Sequence, residues 1–528
     1  MKRRGTTLAP VRASVNCACA SREQRVCYSL EASATIFSLF VGEEGFVGAM
    51  AEIRLHNTLT GKTEPFVTGH PGEVRMYTCG PTVYDYAHIG NFRTFVFQDI
   101  LRRFLELRGY TMKQVMNLTD VDDRIIANAA AAGVSIRDYT EKYAQAFFAD
   151  CATLSIEPPE HWVRATEHIE DMVQLIERLH AKSYTYESEG SIYYRITKFP
   201  DYGKLSKIDV SGIQAGARVD VDRYEKESAR DFALWKAPKP GEHFWETRIG
   251  PGRPGWHIEC SAMAMRYLGE TLDIHSGGID LAFPHHENEI AQSEGATGKP
   301  FVRFWLHAEH LLVEGEKMSK SLGNFYTLRD LFAKGCKPST IRFLLASVPY
   351  RKQLNFTFDG LQQAASSVER LRNFAARLRQ EKFPAGEQAG FVARVGRAEE
   401  EFDAGLSDDL NTAQALAAAF DLVRETNTAM DQGEFRHGGV PAVETFLAKF
   451  DRVFAVLADT DAEKLRALGY GAESAGPGDA EIEALVAERN AARKRRDFAA
   501  SDRIRQQLAD RGILLEDTKD GGVRWKRK

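Results

Sequence analysis

The stretch over residues 74–118 constrains the fold more than any other part of the 528-residue chain. Residues 74–79 (VRMYTC) are a short apolar, β-prone run ending in Cys-Gly-Pro, which predicts a strand entering a loop. Residues 91–108 carry Phe92, Phe95, Val96, Ile100, Leu101, Phe104 and Leu105 at helical spacing, and Gly109 stops the run. Residues 112–118 read as a second strand. Strand, helix and strand within about 45 residues make a βαβ unit and imply a parallel sheet. Cys79 and His88 then fall at and just after the carboxyl end of the first strand, the edge where open α/β sheets bind ligands.

The pattern loosens from residue 167. A helix over 168–181 leads into short strands around 191–195 and a Gly- and charge-rich stretch to Gly255, which reads as an insertion. Residues 272–275 form another short strand running into Ser-Gly-Gly. Pro284 is placed in the next helix's first turn, with Glu287 and Glu289 in its early turns. Residues 303–313 are β-prone. After Leu328 the chain reads as helical to about residue 457, and GYGAESAGPG over 469–478 is the clearest linker. Beyond it lie one basic helix over 482–511 and a strand-like end over 513–525.

Hydrophobic residues at 43% and charged residues at 27% fit an ordinary globular chain. No apolar run approaches the roughly 20 residues that span a bilayer. Seven cysteines, an odd count in a long chain, do not make a disulfide framework and leave thiols for metal in a reducing compartment. The net charge is −5, but residues 481–528 hold 13 Lys/Arg against 9 Asp/Glu, or +4, leaving −9 for the rest. A basic tail on an acidic body is compatible with RNA contact at that end. Residues 1–49 read as a disordered extension or a mis-assigned start, since Met50-Ala-Glu-Ile resembles a natural beginning. Six basic against two acidic residues over 1–40 also fit a transit peptide.

His285 and Glu289, four apart on a helix, project from one face. Cys79 at a strand end and Cys260 after an apparent turn complete two thiolates, an imidazole and a carboxylate, a donor set that suits zinc. Spacing alone does not join four dispersed residues, and a lone Cys is more often a small buried hydrophobe. FPHHENE is not a protease motif, because Ile290 stands where HExxH needs its second histidine. The segment His88-Ile89-Gly90-Asn91 sits where a strand hands over to a helix. Gly90 there lets a nucleotide approach the backbone, and the helix N-terminus offers N–H groups to phosphate. KMSKS over 317–321, between Gly315 and Gly323, reads as a mobile cationic loop suited to a leaving pyrophosphate.

The stretches YTCGPTVYDYAHIGNFRTFV, NLTDVDDRII, ESARDFALWK, GWHIECSAMA, DIHSGGIDLAFPHHENEIAQSE, EKMSKSLGNF and RKRRDFAASDRIRQQLADRGILLEDT follow one another along residues 50–528. In them the chain resembles the cysteinyl-tRNA synthetases, a class I aminoacyl-tRNA synthetase family. The resemblance implies an α/β fold: a Rossmann-like parallel-sheet catalytic domain (50–165 and 251–310) with a connective insertion (166–250). A KMSKS and stem-contact region (311–360), a tRNA-binding helical bundle (361–470) and a small mixed α/β anticodon-binding domain (479–528) follow.

The resemblance further implies that Cys79, Cys260, His285 and Glu289 ligate one Zn²⁺ per chain. Trp256 walls the cysteine pocket, and Thr94, Thr119 and Asp280 contact the cysteinyl adenylate. His88 and Gly90 match the HIGH motif, with Asn91 in place of its second histidine, and Lys317 and Lys320 match KMSKS. His88, Asn91, Lys317 and Lys320 are thus the implied catalytic residues, His88, Gly90 and Lys320 the ATP contacts, and Mg²⁺ accompanies ATP. The implied partners are ATP, L-cysteine and tRNA(Cys), for a cytoplasmic monomer that meets no membrane. Arg489, Arg493 and Arg496 at i, i+4 and i+7 form a row for an RNA backbone, and Trp525 could stack a base.

Two rivals share parts of this pattern. One is a cysteine:amino-sugar ligase of mycothiol synthesis, for which the helical region and basic tail have no evident use. The other is a non-catalytic RNA-binding paralogue, which would have lost parts of HIG, KMSKS or the zinc set.

Overall fold

The computed structural model of the protein describes residues 51–207, 231–470, 479–495, 497–510, 513–517 and 523–527. The expectations for residues 1–49 and the register of Arg496 lie outside them. Five parallel strands form the central sheet, in the order Val302–Ala308, Leu272–Gly278, Glu73–Thr78, Thr111–Leu118, His161–Arg164. The expected βαβ unit is its centre: helix Ile89–Leu107 crosses from Glu73–Thr78 to Thr111–Leu118, and Gly109 turns the chain at φ +85°. Phe92, Val96, Leu101, Phe104 and Leu105 on this helix are fully buried. Each such side chain contributes about 1.5–3 kcal/mol on burial, so the buried stripe rather than propensity holds the helix.

Three elements between residues 118 and 166 had no sequence signal. Helices Asp123–Ala132 and Ile136–Thr153 expose much of their surface, and strand His161–Arg164 is only four residues long, too short for a period to register. The region read as an insertion carries an antiparallel sheet of Thr185–Ser188, Ser191–Tyr194, Phe232–Lys236 and Arg253–Pro254. Residues 303–313 split between two sheets. Val302–Ala308 is the edge strand of the central sheet, whereas Leu311–Val313 pairs with Glu316–Lys317 and with Leu354–Phe356, a strand inside the stretch read as helical.

Helices Phe358–Gln380, Ala389–Ser407, Thr412–Asp431 and Val440–Phe454 make the helical region. Arg342, on helix Pro338–Ala346, ties it to the sheet layer. Its guanidinium donates to Asp99 Oδ2 (2.5 Å), Phe454 O (2.6 Å) and Leu154 O (3.0 Å). Arg342 and Asp99 are both buried, so the pair holds only because carbonyls satisfy the remaining donors.

The tail departs from its expected form. The single helix over 482–511 is two, Asp479–Lys494 and Phe498–Asp510, followed by the antiparallel hairpin Ile513–Asp517 and Val523–Arg527. Ile482, Val486, Ile504, Leu508 and Ile513 form its core, with Trp525 packed against it. Arg489 is only 3% exposed, because Ile482, Val486 and Arg489 share the i, i+4, i+7 face that packs inward. The proposed solvent-facing row is therefore corrected: Arg493 is exposed and Arg489 is not. Trp525 is half-buried, packed against the tail's core.

Candidate active site and metal centre

The carboxyl ends of Glu73–Thr78 and Leu272–Gly278 open onto a cavity of 630 Å³. Eleven residues named from the sequence line it: Cys79, His88, Gly90, Asn91, Thr94, Thr119, Trp256, Cys260, Asp280, His285 and Lys317. Gly80 makes the close approach at its floor, where a Cβ would lie 1.9 Å from Asn117 O. Two of the named residues are not in the wall. Glu289 lies behind His285, fully buried. Lys320 pairs with Asp85 (2.7 Å) and rests 5.0 Å from the Phe325 ring, outside the cavity.

Two local readings are corrected here. Cys260 sits inside helix Trp256–Leu268, one turn after Trp256, rather than after a turn. Pro284 belongs to a π-helical turn over Ala282–His286, where Phe283 is non-helical (φ −141°, ψ 131°), and the α-helix starts only at Glu287. His285 therefore lies in that turn and Glu289 in the helix, yet His285 Nε2 and Glu289 Oε1 approach to 3.1 Å.

The donor atoms of Cys79, Cys260, His285 and Glu289 lie within 4.8 Å of one another. Cys79, His275, His286 and Glu289 meet the same limit. The cavity distinguishes the two sets, since Cys79, Cys260 and His285 line it and His275 and His286 do not. An ion on the first set can meet a substrate. His275 then works behind it, its Nε2–H donating to Glu289 Oε2 (3.0 Å), as ligand carboxylates are oriented by outer partners. His286 links Cys79 Sγ (3.3 Å) to His307 Nε2 (2.8 Å). Trp256 stacks on the His285 ring at 4.3 Å.

Charge in this corner follows burial. Burial pushes the Cys79 thiol up, and for Cys260 the hydrogen bond with Cys79 comes first and burial second. Burial works against charge on His285 and Glu289 too, but the charges of Cys260 and Glu289 hold the imidazole up, and those of His275 and His285 hold the carboxyl down. The two thiols therefore keep their protons unless a cation's charge offsets the burial.

His88 and Asn91 cap helix Ile89–Leu107 reciprocally: Asn91 N–H donates to His88 Nδ1 (3.2 Å) and His88 N–H to Asn91 Oδ1 (3.1 Å). Burial holds the His88 imidazole down at about 4, so it is neutral at pH 7. With Nδ1 accepting, its proton sits on Nε2, a donor for a phosphate oxygen. Asn91 is thus part of the helix cap as well as the cavity wall.

Several residues here carried no sequence signal. Thr119 hydroxyl donates to Glu259 Oε2 (3.1 Å) and accepts from Asn117 Nδ2 (3.2 Å), and Gly80 N–H donates to Asn117 Oδ1 (2.9 Å). Glu259 and Asn117 are buried, so only the adjacency of Glu259 to Cys260 hinted at the site. Glu287, read as a helix start, accepts backbone N–H groups of Gly203, Leu205 and Ser206 (2.8–3.1 Å) and anchors that loop.

Comparison with known proteins agrees with this arrangement. The family described as the tRNA synthetases class I (C) catalytic domain matches residues 65–366, the DALR domain 401–458, and the cysteinyl-tRNA ligase anticodon binding domain 477–525. The chain is 60% identical over 476 residues to a cysteine–tRNA ligase of Solibacter usitatus, covering 90% of this chain and all of the relative. It is 58% identical over 494 residues to that of Koribacter versatilis, with the same coverage. A Mycobacterium tuberculosis methionyl-tRNA synthetase in complex with methionyl-adenylate shares the fold (TM-score 0.57, 16% identity, 76% of this chain and 95% of that one). With both its catalytic and anticodon-binding regions matched, the chain belongs to the cysteinyl-tRNA ligase family of class I aminoacyl-tRNA synthetases.

Proposed function

We propose that the chain activates L-cysteine with ATP and transfers it to tRNA(Cys), holding one zinc ion with Cys79, Cys260, His285 and Glu289. The observation that carries this reading is a shared wall: three of the four donors face the same cavity as His88, Gly90 and Lys317. A cysteine whose sulfur meets the donor set can therefore turn its carboxylate toward the nucleotide motif. The residues fit the ion, for Glu289 Oε1 is buried with His285 Nε2 at 3.1 Å, and two thiols converge on that imidazole and carboxylate. Zinc bound there supplies a coordination position that takes a thiolate and takes serine's hydroxyl poorly. A purely apolar pocket separates such near-isosteres by only about 1–3 kcal/mol.

The remaining roles follow from donors and acceptors. Thr119 gives its proton to Glu259, which leaves its oxygen as an acceptor toward the cavity. With the Asp280 carboxylate it suits the α-ammonium of cysteine. Trp256 braces His285 and closes that side of the pocket. No protein nucleophile is needed: the substrate carboxylate attacks the α-phosphate of ATP, and pyrophosphate leaves. His88 Nε2–H and the start of helix Ile89–Leu107 hold phosphate oxygens, with Asn91 fixing His88. Lys317 and Lys320, with Mg²⁺ brought by ATP, stabilise the departing charge, and Lys320 has to leave Asp85 to do so. The terminal ribose of tRNA then takes the cysteinyl group.

The helical region over 361–470 and the tail after residue 479 are proposed as the tRNA-binding parts, with Arg493 on the tail's exposed surface. The anticodon-binding match and full coverage of the relatives weigh against an amino-sugar ligase, and the assembled cavity weighs against a non-catalytic paralogue. Cys79, Cys151, Cys260 and Cys336 are unpaired, in keeping with the cytoplasm, and no described helix is long and apolar enough to cross a membrane. Cysteine-dependent ATP–pyrophosphate exchange followed by charging of purified tRNA(Cys) tests the reading. Exchange without charging would point to the amino-sugar ligase, and absence of both would end the proposal.

A further inference from the structure

A second groove, of 570 Å³, adjoins the KMSKS loop and is not part of the adenylation cavity. Tyr84, Arg124, Asn128, Tyr139, Tyr143 and Lys320 are among its lining residues. Its rings are packed into a platform: Tyr139 and Tyr143 lie 5.4 Å apart, and Tyr86 meets Tyr143 edge-on at 5.4 Å. Tyr139 is held in place, its hydroxyl donating to Tyr84 O (3.0 Å) and accepting from Asn128 Nδ2 (3.1 Å). Cations border the rings. Arg124 lies 5.2 Å over Tyr84, and Lys142 lies 5.2 Å over Tyr143.

The groove's acids are already matched. Asp85 pairs with Lys320 at 2.7 Å, and Asp123 pairs with Lys236 at 3.4 Å and with Arg253. What remains for a ligand is a cluster of half-buried tyrosine rings, with the exposed cations Arg124 and Lys142 resting over Tyr84 and Tyr143 and free to move aside to phosphates. Ring faces stack planar bases without regard to sequence, and cations hold the phosphates between them, which is the chemistry of unpaired nucleotides.

The groove and the cavity share one loop. Tyr84 and Asp85 line the groove, while Gly80, Pro81, Thr82 and His88 of the same loop line the cavity. A strand seated on the tyrosines lies one loop away from the cavity into which a tRNA must bring its terminal ribose. We propose that this tyrosine groove binds the unpaired 3′ nucleotides of the tRNA, a reading that rests on the function proposed above.

The test compares the full-length enzyme with its Tyr143→Ala, Tyr143→Phe and Arg124→Ala variants. Tyr143→Ala raises the KM for tRNA in charging by about fivefold to a hundredfold, the loss of one stacked base. Cysteine-dependent exchange stays within about twofold, and Tyr143→Phe, which keeps the ring, recovers charging to about the same margin. Transfer RNA lacking its unpaired 3′ nucleotides binds wild type and Tyr143→Ala equally. Unchanged charging in Tyr143→Ala, or a binding loss of equal size with the shortened tRNA, overturns the groove. If Tyr143→Ala does not fold, the exposed Arg124→Ala gives the same readout, with a raised tRNA KM supporting the groove and an unchanged one overturning it. A wild-type enzyme without exchange would defeat the ligase reading, whereas normal exchange with unaltered charging defeats the groove alone.

Discussion

The adenylation cavity and the tail after Asp479 hold their candidate functional side chains in opposite ways. At the cavity, the four metal-set residues are at most 6% exposed, come from three separate segments, and meet further buried groups, Glu289 with His275 and Cys79 with His286. In the tail, five buried apolar side chains make the core among the described residues, and Arg493, Lys494, Arg503 and Arg505 lie exposed on its helices. A site built into a large core is rigid before its ligand arrives, which suits discrimination of sulfur from oxygen. A surface carried by a small core adjusts to a polymer and works through summed charge. Damage should therefore be all-or-none at the cavity and graded in the tail.

The sharpest way to break that contrast is Cys260→Ser. Zinc content and cysteine-dependent exchange should fall together, exchange by about a hundredfold or more, since even outer partners of a metal site are worth 10–100-fold. Full zinc occupancy in a Cys79→Ala, Cys260→Ala double variant, measured by metal analysis, would remove the site. Next is Lys320→Ala, which should slow adenylate formation by roughly a hundredfold while cysteine binding holds, because its charge matters mainly as pyrophosphate leaves. An unaltered exchange rate would take Lys320 out of the reaction.

The tail gives smaller, separable effects. A fragment ending at Gly478 should keep exchange while charging falls by on the order of tenfold to a hundredfold, more at higher salt as remaining phosphate contacts are screened. Equal charging by fragment and full chain across a salt series would contradict the tail's role. The mildest change is Ile482→Ala, which should cost the tail about 2–5 kcal/mol by opening a cavity in its core. Charging should drop a few-fold with exchange intact, and a loss of exchange would show that the tail and cavity are not independent.

Legibility followed the range of the interactions. The βαβ unit was readable because Phe92 through Leu105 repeat at helical spacing within one element, and the nucleotide motif was readable because its residues are contiguous. Helix Ile136–Thr153 and strand His161–Arg164 were not, since one exposes much of its surface and the other is too short. In the tail, Arg489, Arg493 and Arg496 read as a cationic row, and only the packing of two helices showed that Arg489 shares its inward face with Ile482 and Val486. Asn117, His275 and Asp85 gave no local signal, and Glu259 gave only its adjacency to Cys260, because their part in the site depends on how the chain is assembled around them.

The amino-acid sequence determined the βαβ centre of the parallel sheet and the motif pair for ATP, through local periodicity and contiguous motifs that carry their own physics, while the four candidate metal ligands came from the resemblance of their stretches to the cysteinyl-tRNA synthetases. The tertiary structure alone decided which of two overlapping donor sets lines the cavity, which lysine of KMSKS meets the cavity and which pairs with Asp85, and that the Thr119 hydroxyl donates to Glu259. It also brought the tyrosines of 84, 139 and 143 into one groove. Burial and hydrogen-bond direction are properties of the assembled core, where a side chain's protonation and exposure are set by neighbours that sequence distance does not reveal.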